Sequence, residues 1–130
     1  MSKLIIYTDG GARGNPGPSG IGVHIVGQGD YKEYIGHATN NQAEYRAVLL
    51  ALEKAKLLKA QEIDFYLDSE LVVKQLNREY KIKDKELGKI YVQIWNLLLA
   101  FKKVTFTHVP REKNKIADKL VNQALDNAIK

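Results

Sequence analysis

Cysteine is absent from this 130-residue chain. That excludes a disulfide framework and any thiolate metal site, and it leaves a reducing, cytoplasmic compartment as the expectation. Long apolar runs are also missing. None approaches the ~18 residues that cross a bilayer, so no membrane partner is expected. The opening segment MSKLIIYTDG has only the stretch Leu4 to Tyr7 before Thr8 and Asp9, too short for the core of a signal peptide. No internal repeat, low-complexity segment or linker interrupts the chain, and its length fits one domain spanning residues 1–130. Acidic residues are in the minority, 15 against 20 Lys and Arg, for a net charge of +5. An excess of that sign serves solubility in many proteins, but it also suits a polyanionic partner. No long apolar patch calls for a protein partner, and a monomer is expected.

Three strands come first. SKLIIYTD is rich in β-branched and aromatic residues, GIGVHIV alternates Ile21, Val23 and Ile25 on one face, and GQGD turns the chain into the returning strand YKEYIGHA. NNQAEYRAVLLALEKAKLLKA follows as a helix with the stripe Ala47, Val48, Ala51, Leu52 and Ala55, capped by Asn40 or Asn41. EIDFYLD is a fourth strand, and Ser69 starts a short helix. Asp84 caps a third helix with the stripe Leu87, Ile90, Tyr91, Ile94, Leu98 and Phe101. KVTFTHV is a fifth strand ended by Pro110. A last helix runs from about Lys113 to Ala128 with Ala117, Leu120, Val121, Ala124, Leu125 and Ala128 on its apolar side. The order β-β-β-α-β-α-α-β-α is that of an α/β protein with a five-stranded mixed sheet flanked by helices. Strands 1 and 4 read as central, mutually parallel and buried on both faces.

Four carboxylates stand apart from those that lie among lysines on solvent faces. Asp9 ends strand 1 and Asp68 ends strand 4, where open α/β sheets place their ligands. Taken singly, each is equally a turn or helix-cap aspartate. Glu44 reads as a first-turn residue that continues the apolar stripe of its helix, where a charge is costly unless paired or coordinated; a dipole role at the helix start is the plain alternative. Asp118 lies in the first turn of the last helix, where a dipole role alone would explain it. Two strand ends and two helix starts can meet at one sheet edge. Carboxylates gathered there repel unless a cation neutralises them, and all-oxygen ligands suit Mg²⁺ or Mn²⁺. Two such ions can activate a water and steady a leaving oxygen in phosphodiester cleavage.

The glycine- and proline-rich loop GGARGNPGPSG invites a second reading, a phosphate cradle for a nucleotide. No Lys-Ser or Lys-Thr follows its glycines, and Pro16 and Pro18 stop a helix from starting there, so no helix N-terminus faces a phosphate.

The motifs YTDGGARGNPGPSGIG, TNNQAEYRAVLLALE, FYLDSELVVKQL and HVPREKNKIADKLVNQA together resemble the type 1 ribonucleases H. They cover nearly the whole chain in the family's order and spacing. The resemblance implies a ribonuclease H-like fold in a compact form, without the basic protrusion or the separate hybrid-binding domain of some members. It implies an endonuclease that cuts the RNA strand of RNA–DNA hybrids, leaving 5′-phosphate and 3′-hydroxyl ends, with Asp9, Glu44, Asp68 and Asp118 holding two Mg²⁺ ions, or Mn²⁺ as a substitute. By the same resemblance Gly10, Gly11, Arg13, Asn15, Asn40 and Asn41 would lie against the minor groove, where 2′-hydroxyls mark RNA. Thr39 would meet a DNA phosphate, and Asn114 would lie near the second metal. His108 matches a histidine that in some members assists catalysis; a structural residue at a strand end is the competing account. Double-stranded RNA is a possible second substrate, and a non-catalytic nucleic-acid-binding domain of the same fold is the alternative function. The chain departs from the family pattern at Glu70, where a glutamine is common, and at His37, where some members place an arginine. The link REYKIKDKELG replaces the basic insertion, so hybrid binding is expected to be weaker and strongly salt-dependent.

Overall fold

A computed structural model describes residues 2–129. Its elements are β1 (Lys3–Ala12), β2 (Gly17–Ile25), β3 (Gly29–Ala38), α1 (Asn40–Leu57), β4 (Glu62–Leu67), α2 (Glu70–Leu76), α3 (Lys85–Leu98), β5 (Lys103–His108) and α4 (Lys115–Ala128). A short 3-10 turn at Arg111–Lys113 precedes α4. The strands form one sheet in the order β3-β2-β1-β4-β5. The first three are antiparallel, β4 runs parallel to the central β1, and β5 runs parallel to β4.

One face of the sheet carries the main core. Leu4 and Ile6 of β1, Val23 and Ile25 of β2, and Phe65 and Leu67 of β4 are buried there with Tyr45, Val48, Leu52 and Ala55 of α1. Phe65 stacks on Phe106 of β5 with ring centroids 5.1 Å apart. The hydroxyl of fully buried Tyr45 donates to Gln75 Oε1 at 2.7 Å, which meets the polar requirement of an otherwise apolar contact between α1 and α2. The helix α3 packs on α1 through Leu87 and Ile94.

On the opposite face, α4 covers β2, β3 and one end of β1, using Ala117, Leu120, Val121, Ala124 and Leu125. Ala128 closes the expected stripe but is exposed. Because α4 leaves the rest of that face uncovered, β1 and β4 are not buried on both sides. Their burial alternates, and Ile5 is 39 % exposed.

The helix starts correct two readings. Thr39, not Asn40 or Asn41, caps α1: its hydroxyl accepts from the Gln42 amide at 3.1 Å, while the Gln42 side chain accepts from the Thr39 amide at 2.9 Å. This reciprocal box uses a threonine and a glutamine three residues apart, and it places Glu44 in the second helical turn, with no acidic residue in the first. Ser69 and Asp84 cap α2 and α3 as their side-chain chemistry predicts.

Candidate active site

The last register pair of the parallel ladder between β1 and β4 is Tyr7 with Tyr66. Beyond it the strands part. Asp9 and Asp68 each lie two residues past that pair, so the split in the sheet presents both at one end. Glu44 arrives from α1, and Gly10 explains how. A Cβ on Gly10 would fall 2.3 Å from the carbonyl carbon of Ala43 and 2.5 Å from the amide nitrogen of Glu44. Only a residue without a side chain lets the helix backbone rest against β1 at this level.

The result is a cluster in which Asp9, Glu44 and Asp68 each offer a carboxylate oxygen within 4.8 Å of the others. Asp118, in the first turn of α4, lines the same cleft but lies outside this tight group. The cleft also includes Gly10, Gly11, Arg13, Asn40 and Asn41.

Burial pushes the Asp9 carboxyl up to about 8, and the negative charges of Asp68 and then Asp118 add to this; the Gly10 amide and the Arg111 guanidinium pull the other way. Glu44, only 6 % exposed, is raised for the same leading reason, burial, reinforced by Asp9 and Asp68. Among the described residues its Oε1 is buried with no hydrogen-bond partner. An orphaned carboxylate oxygen is costly in isolation. Three carboxylate oxygens converging on one point, one of them unsatisfied, fit a hard divalent cation.

Asn114, 1 % exposed, braces the cluster from the turn before α4. Its Nδ2 donates to the Thr8 carbonyl at 2.9 Å and to Asp68 Oδ2 at 3.3 Å, tying β1, β4 and α4 together.

Of the residues expected to meet nucleic acid, Gly10, Gly11, Arg13, Asn40 and Asn41 line the cleft, while Asn15 and Thr39 stand outside its lining and are tied to it through Asn40 and the start of α1. The Ala12 amide donates to Asn40 Oδ1 at 2.8 Å, and the Asn40 amide donates to Asn15 Oδ1 at 3.0 Å. With each carbonyl oxygen turned inward, both exposed asparagines present their amino groups as donors. Arg13 forms an ion pair with Asp126 at 2.7 Å, which directs it toward the end of α4. Thr39 is occupied as the cap of α1. His108 is the last residue of β5, level with Leu67 in the ladder and exposed, and it does not line the cleft. Glu70 lies in the first turn of α2 with its carboxylate 4.0 Å from Lys74 Nζ.

Arg111 does line the cleft, and sequence reasoning passed over it. The signal was present in VPREKN, an arginine in the turn leading into the helix of Asp118, but nothing local shows that this turn folds back toward the strand ends.

Fold and cluster together define the class: a ribonuclease H-like α/β domain with an acidic cleft at the C-terminal ends of its central parallel strands. Residues 7–124 match the family described as Reverse transcriptase-like. The chain is 44 % identical to ribonuclease HI of Halobacterium salinarum over 97 % of this chain and 66 % of that protein. It is similar to the crystal structure of LC11-RNase H1 in complex with RNA/DNA hybrid, with a TM-score of 0.92 at 42 % identity over 98 % of this chain and 99 % of that one. Three mycobacterial relatives, among them the bifunctional protein Rv2228c of Mycobacterium tuberculosis, are 42 % identical over 97 % of this chain and 36 % of their own length. The chain thus spans about a third of these curated relatives. It belongs to the ribonuclease H family, in its type 1 branch.

Proposed function

We propose that this chain is an endoribonuclease that cuts the RNA strand of RNA–DNA hybrids, leaving 5′-phosphate and 3′-hydroxyl ends. The observation that carries the reading is the convergence of Asp9, Glu44 and Asp68 with one buried carboxylate oxygen unsatisfied. Asp9 and Asp68 would be ligands shared by two cations, with Glu44 serving one and Asp118 the other. When bound, Mg²⁺ or Mn²⁺ would supply a water activated for attack on the scissile phosphate and charge compensation for the leaving oxygen. The protein's own part is positioning. Asn114 fixes the Asp68 carboxylate, and Gly10 lets Glu44 reach the cluster. Arg111 adds a fixed positive charge at the cleft, where an incoming phosphate must lie. Asn15 and Asn40 offer amino groups to acceptors in the minor groove, 2′-hydroxyls among them, which is the basis for choosing RNA over DNA. Gly11, Asn41, Arg13 and Thr39 complete the proposed contact surface. His108, at the end of the edge strand β5, lies outside the cleft lining and, unlike Asn15, has no hydrogen bond to a cleft residue among the described residues, so position gives it no support. Residues 1–130 act as one domain and as a monomer in this reading, with RNA–RNA duplex as a weaker substrate and the cytoplasm as the place of action.

The test is cleavage of a labelled RNA–DNA hybrid with Mg²⁺, with Mn²⁺ and with chelator, beside Asp68→Asn and with an RNA–RNA duplex in parallel. Metal-dependent cutting of the RNA strand, reduced at least ~10³-fold in the variant, is expected. Equal cutting by the variant, or hybrid binding without any cutting by the wild-type protein, would sink the catalytic reading; the second result would favour a non-catalytic binding domain.

A further inference from the structure

The link between α2 and α3 carries a second constellation that the proposed hydrolysis leaves unused. Trp95, the chain's single tryptophan, stands on the outer side of α3 and is 38 % exposed. The Arg78 guanidinium carbon lies 3.8 Å from its ring centroid. Arg78 has φ of 63°, in the left-handed region that side chains other than glycine enter rarely. The turn that imposes this conformation is closed by the Glu79 and Tyr80 amides, which both donate to the Lys74 carbonyl, at 2.8 and 3.3 Å. Alongside, the Lys74 ammonium lies 5.1 Å from the centroid of the Tyr80 ring, which is 49 % exposed. Two concavities, of about 510 and 250 Å³, meet at Arg78 and Tyr91; the larger is also lined by Lys81, with Glu79 its only acidic residue among those described.

An exposed guanidinium 3.8 Å over an indole, with a second cation beside it against a tyrosine and its hydroxyl, is a surface for a planar group attached to a polyanion. Nucleic-acid bases stack on aromatic rings and on arginine planes, but within a duplex their faces are already covered by neighbouring pairs. The group that fits is therefore an unpaired base. The helix α2 links this surface to the acidic cleft: its cap Ser69 lines the cleft, and its seven residues rise about 10 Å, roughly three base steps of 3.4 Å.

We infer that Arg78 and Trp95 form a stacking site for an unpaired nucleobase on a single-stranded tail adjoining the hybrid. The inference takes from the proposed function only that nucleic acid is the ligand. It gives the protein a preference for junctions between hybrid and single strand over uninterrupted hybrid.

Trp95 is its own probe. With chelator present to prevent cleavage, the wild-type protein is titrated with a blunt hybrid and with the same hybrid carrying a single-stranded DNA tail, and both indole fluorescence and affinity are read. The tailed hybrid is expected to quench Trp95 and to bind about fivefold or more tightly than the blunt one. Arg78→Gly, which suits the positive φ and so preserves the turn, is expected to abolish the difference, with its thermal melt confirming the fold. Equal affinity and equal quenching for the two hybrids would overturn the inference and leave the stack a structural contact, as would a tail preference undiminished in Arg78→Gly. Cleavage of the blunt hybrid by the wild-type protein with Mg²⁺ tests the active-site reading separately, so the two cannot fail unnoticed together.

Discussion

Asp9 sits in an environment far from that of a solvated carboxyl, 8 % exposed and beside two other carboxylates. Burial raises it from an ordinary value of 3.8 to about 8. In the unfolded chain it ionises near 4, so the folded form binds a proton more tightly across the interval between. A raised value of this kind contributes stability that is fully present below pH 4 and is lost as pH climbs toward 8. The chelated protein is therefore expected to melt several degrees lower at pH 8.5 than at pH 5.5, a loss of a few kcal/mol at about 1.4 kcal/mol per pH unit of differential protonation. Mg²⁺ should recover more of the melting temperature at pH 8.5, where the ligand carboxyls are ionised. Differential scanning fluorimetry across pH, with chelator and with Mg²⁺, checks both slopes; a melting temperature that rises with pH in chelator would contradict the burial argument. Arg111 opposes the same accumulation of negative charge. Arg111→Ala should lower kcat/KM on hybrid by ~10- to 10²-fold, and Arg111→Lys should recover part of it, because charge and not bidentate geometry is the property the cluster responds to. Steady-state kinetics on the two variants would show whether the guanidinium matters at all. At this scale the sequence was informative where chemistry is carried by residue type. Asp9, Asp68 and Glu44 stood out because a strand end or an apolar stripe is a poor place for a solvated carboxylate. Arg111 was not legible, since an arginine in a basic turn is ordinary until the turn is seen folding over the cleft.

Among the elements, the contact between α1 and β1 decides whether the cluster forms. Gly10 leaves no room for even a methyl group, with Ala43 and Glu44 backbone atoms 2.3–2.5 Å from where it would stand. Gly10→Ala should force α1 away from the sheet, costing about 1–3 kcal/mol or more by overpacking. Activity should fall further than stability does, because the displaced helix carries Glu44 out of reach of Asp9. Comparing melting temperature with kcat at a temperature where the variant is folded separates the effects; unchanged kcat in a destabilised protein would mean that Glu44 is dispensable. Element order and type were legible from periodicity alone, since alternation over Ile21 to Ile25 and the helical stripe from Ala47 to Ala55 admit one reading each. Boundaries were less so. The cap of α1 was read as Asn40 or Asn41, and the reciprocal bonds between Thr39 and Gln42 place it one residue earlier, at Thr39. The burial of β1 and β4 was overread because an unbroken apolar run such as Leu4 to Tyr7 fits a strand covered on two faces as well as one left half open by a single short helix.

Over the whole molecule, charge is distributed against the local chemistry. The chain carries a net charge of +5, yet its proposed reaction centre gathers Asp9, Glu44, Asp68 and Asp118 around one cleft. On the proposed function, a polyanion would be drawn to the protein by the overall field and repelled at the point where it would be cut, unless cations occupy the carboxylates or protons neutralise them. Two salt dependences should follow. Binding of hybrid should weaken with salt through release of counterions from the phosphates that lysine and arginine contact, with a slope near −0.9 per phosphate on duplex. A compact domain without a basic insertion should engage few phosphates. At roughly four contacts, affinity should fall on the order of 10²-fold between 50 and 200 mM salt. Mg²⁺ at fixed ionic strength should act in the opposite direction, tightening binding by removing the local repulsion, and Asp68→Asn should weaken that tightening because it deletes one of the charges involved. Fluorescence anisotropy with a cleavage-resistant hybrid, titrated with monovalent salt and then with Mg²⁺ at constant ionic strength, measures both. A flat salt response would mean that the positive surface does not face the substrate. A Mg²⁺ response identical in wild type and Asp68→Asn would mean that the cation acts on the nucleic acid and not at the carboxylates.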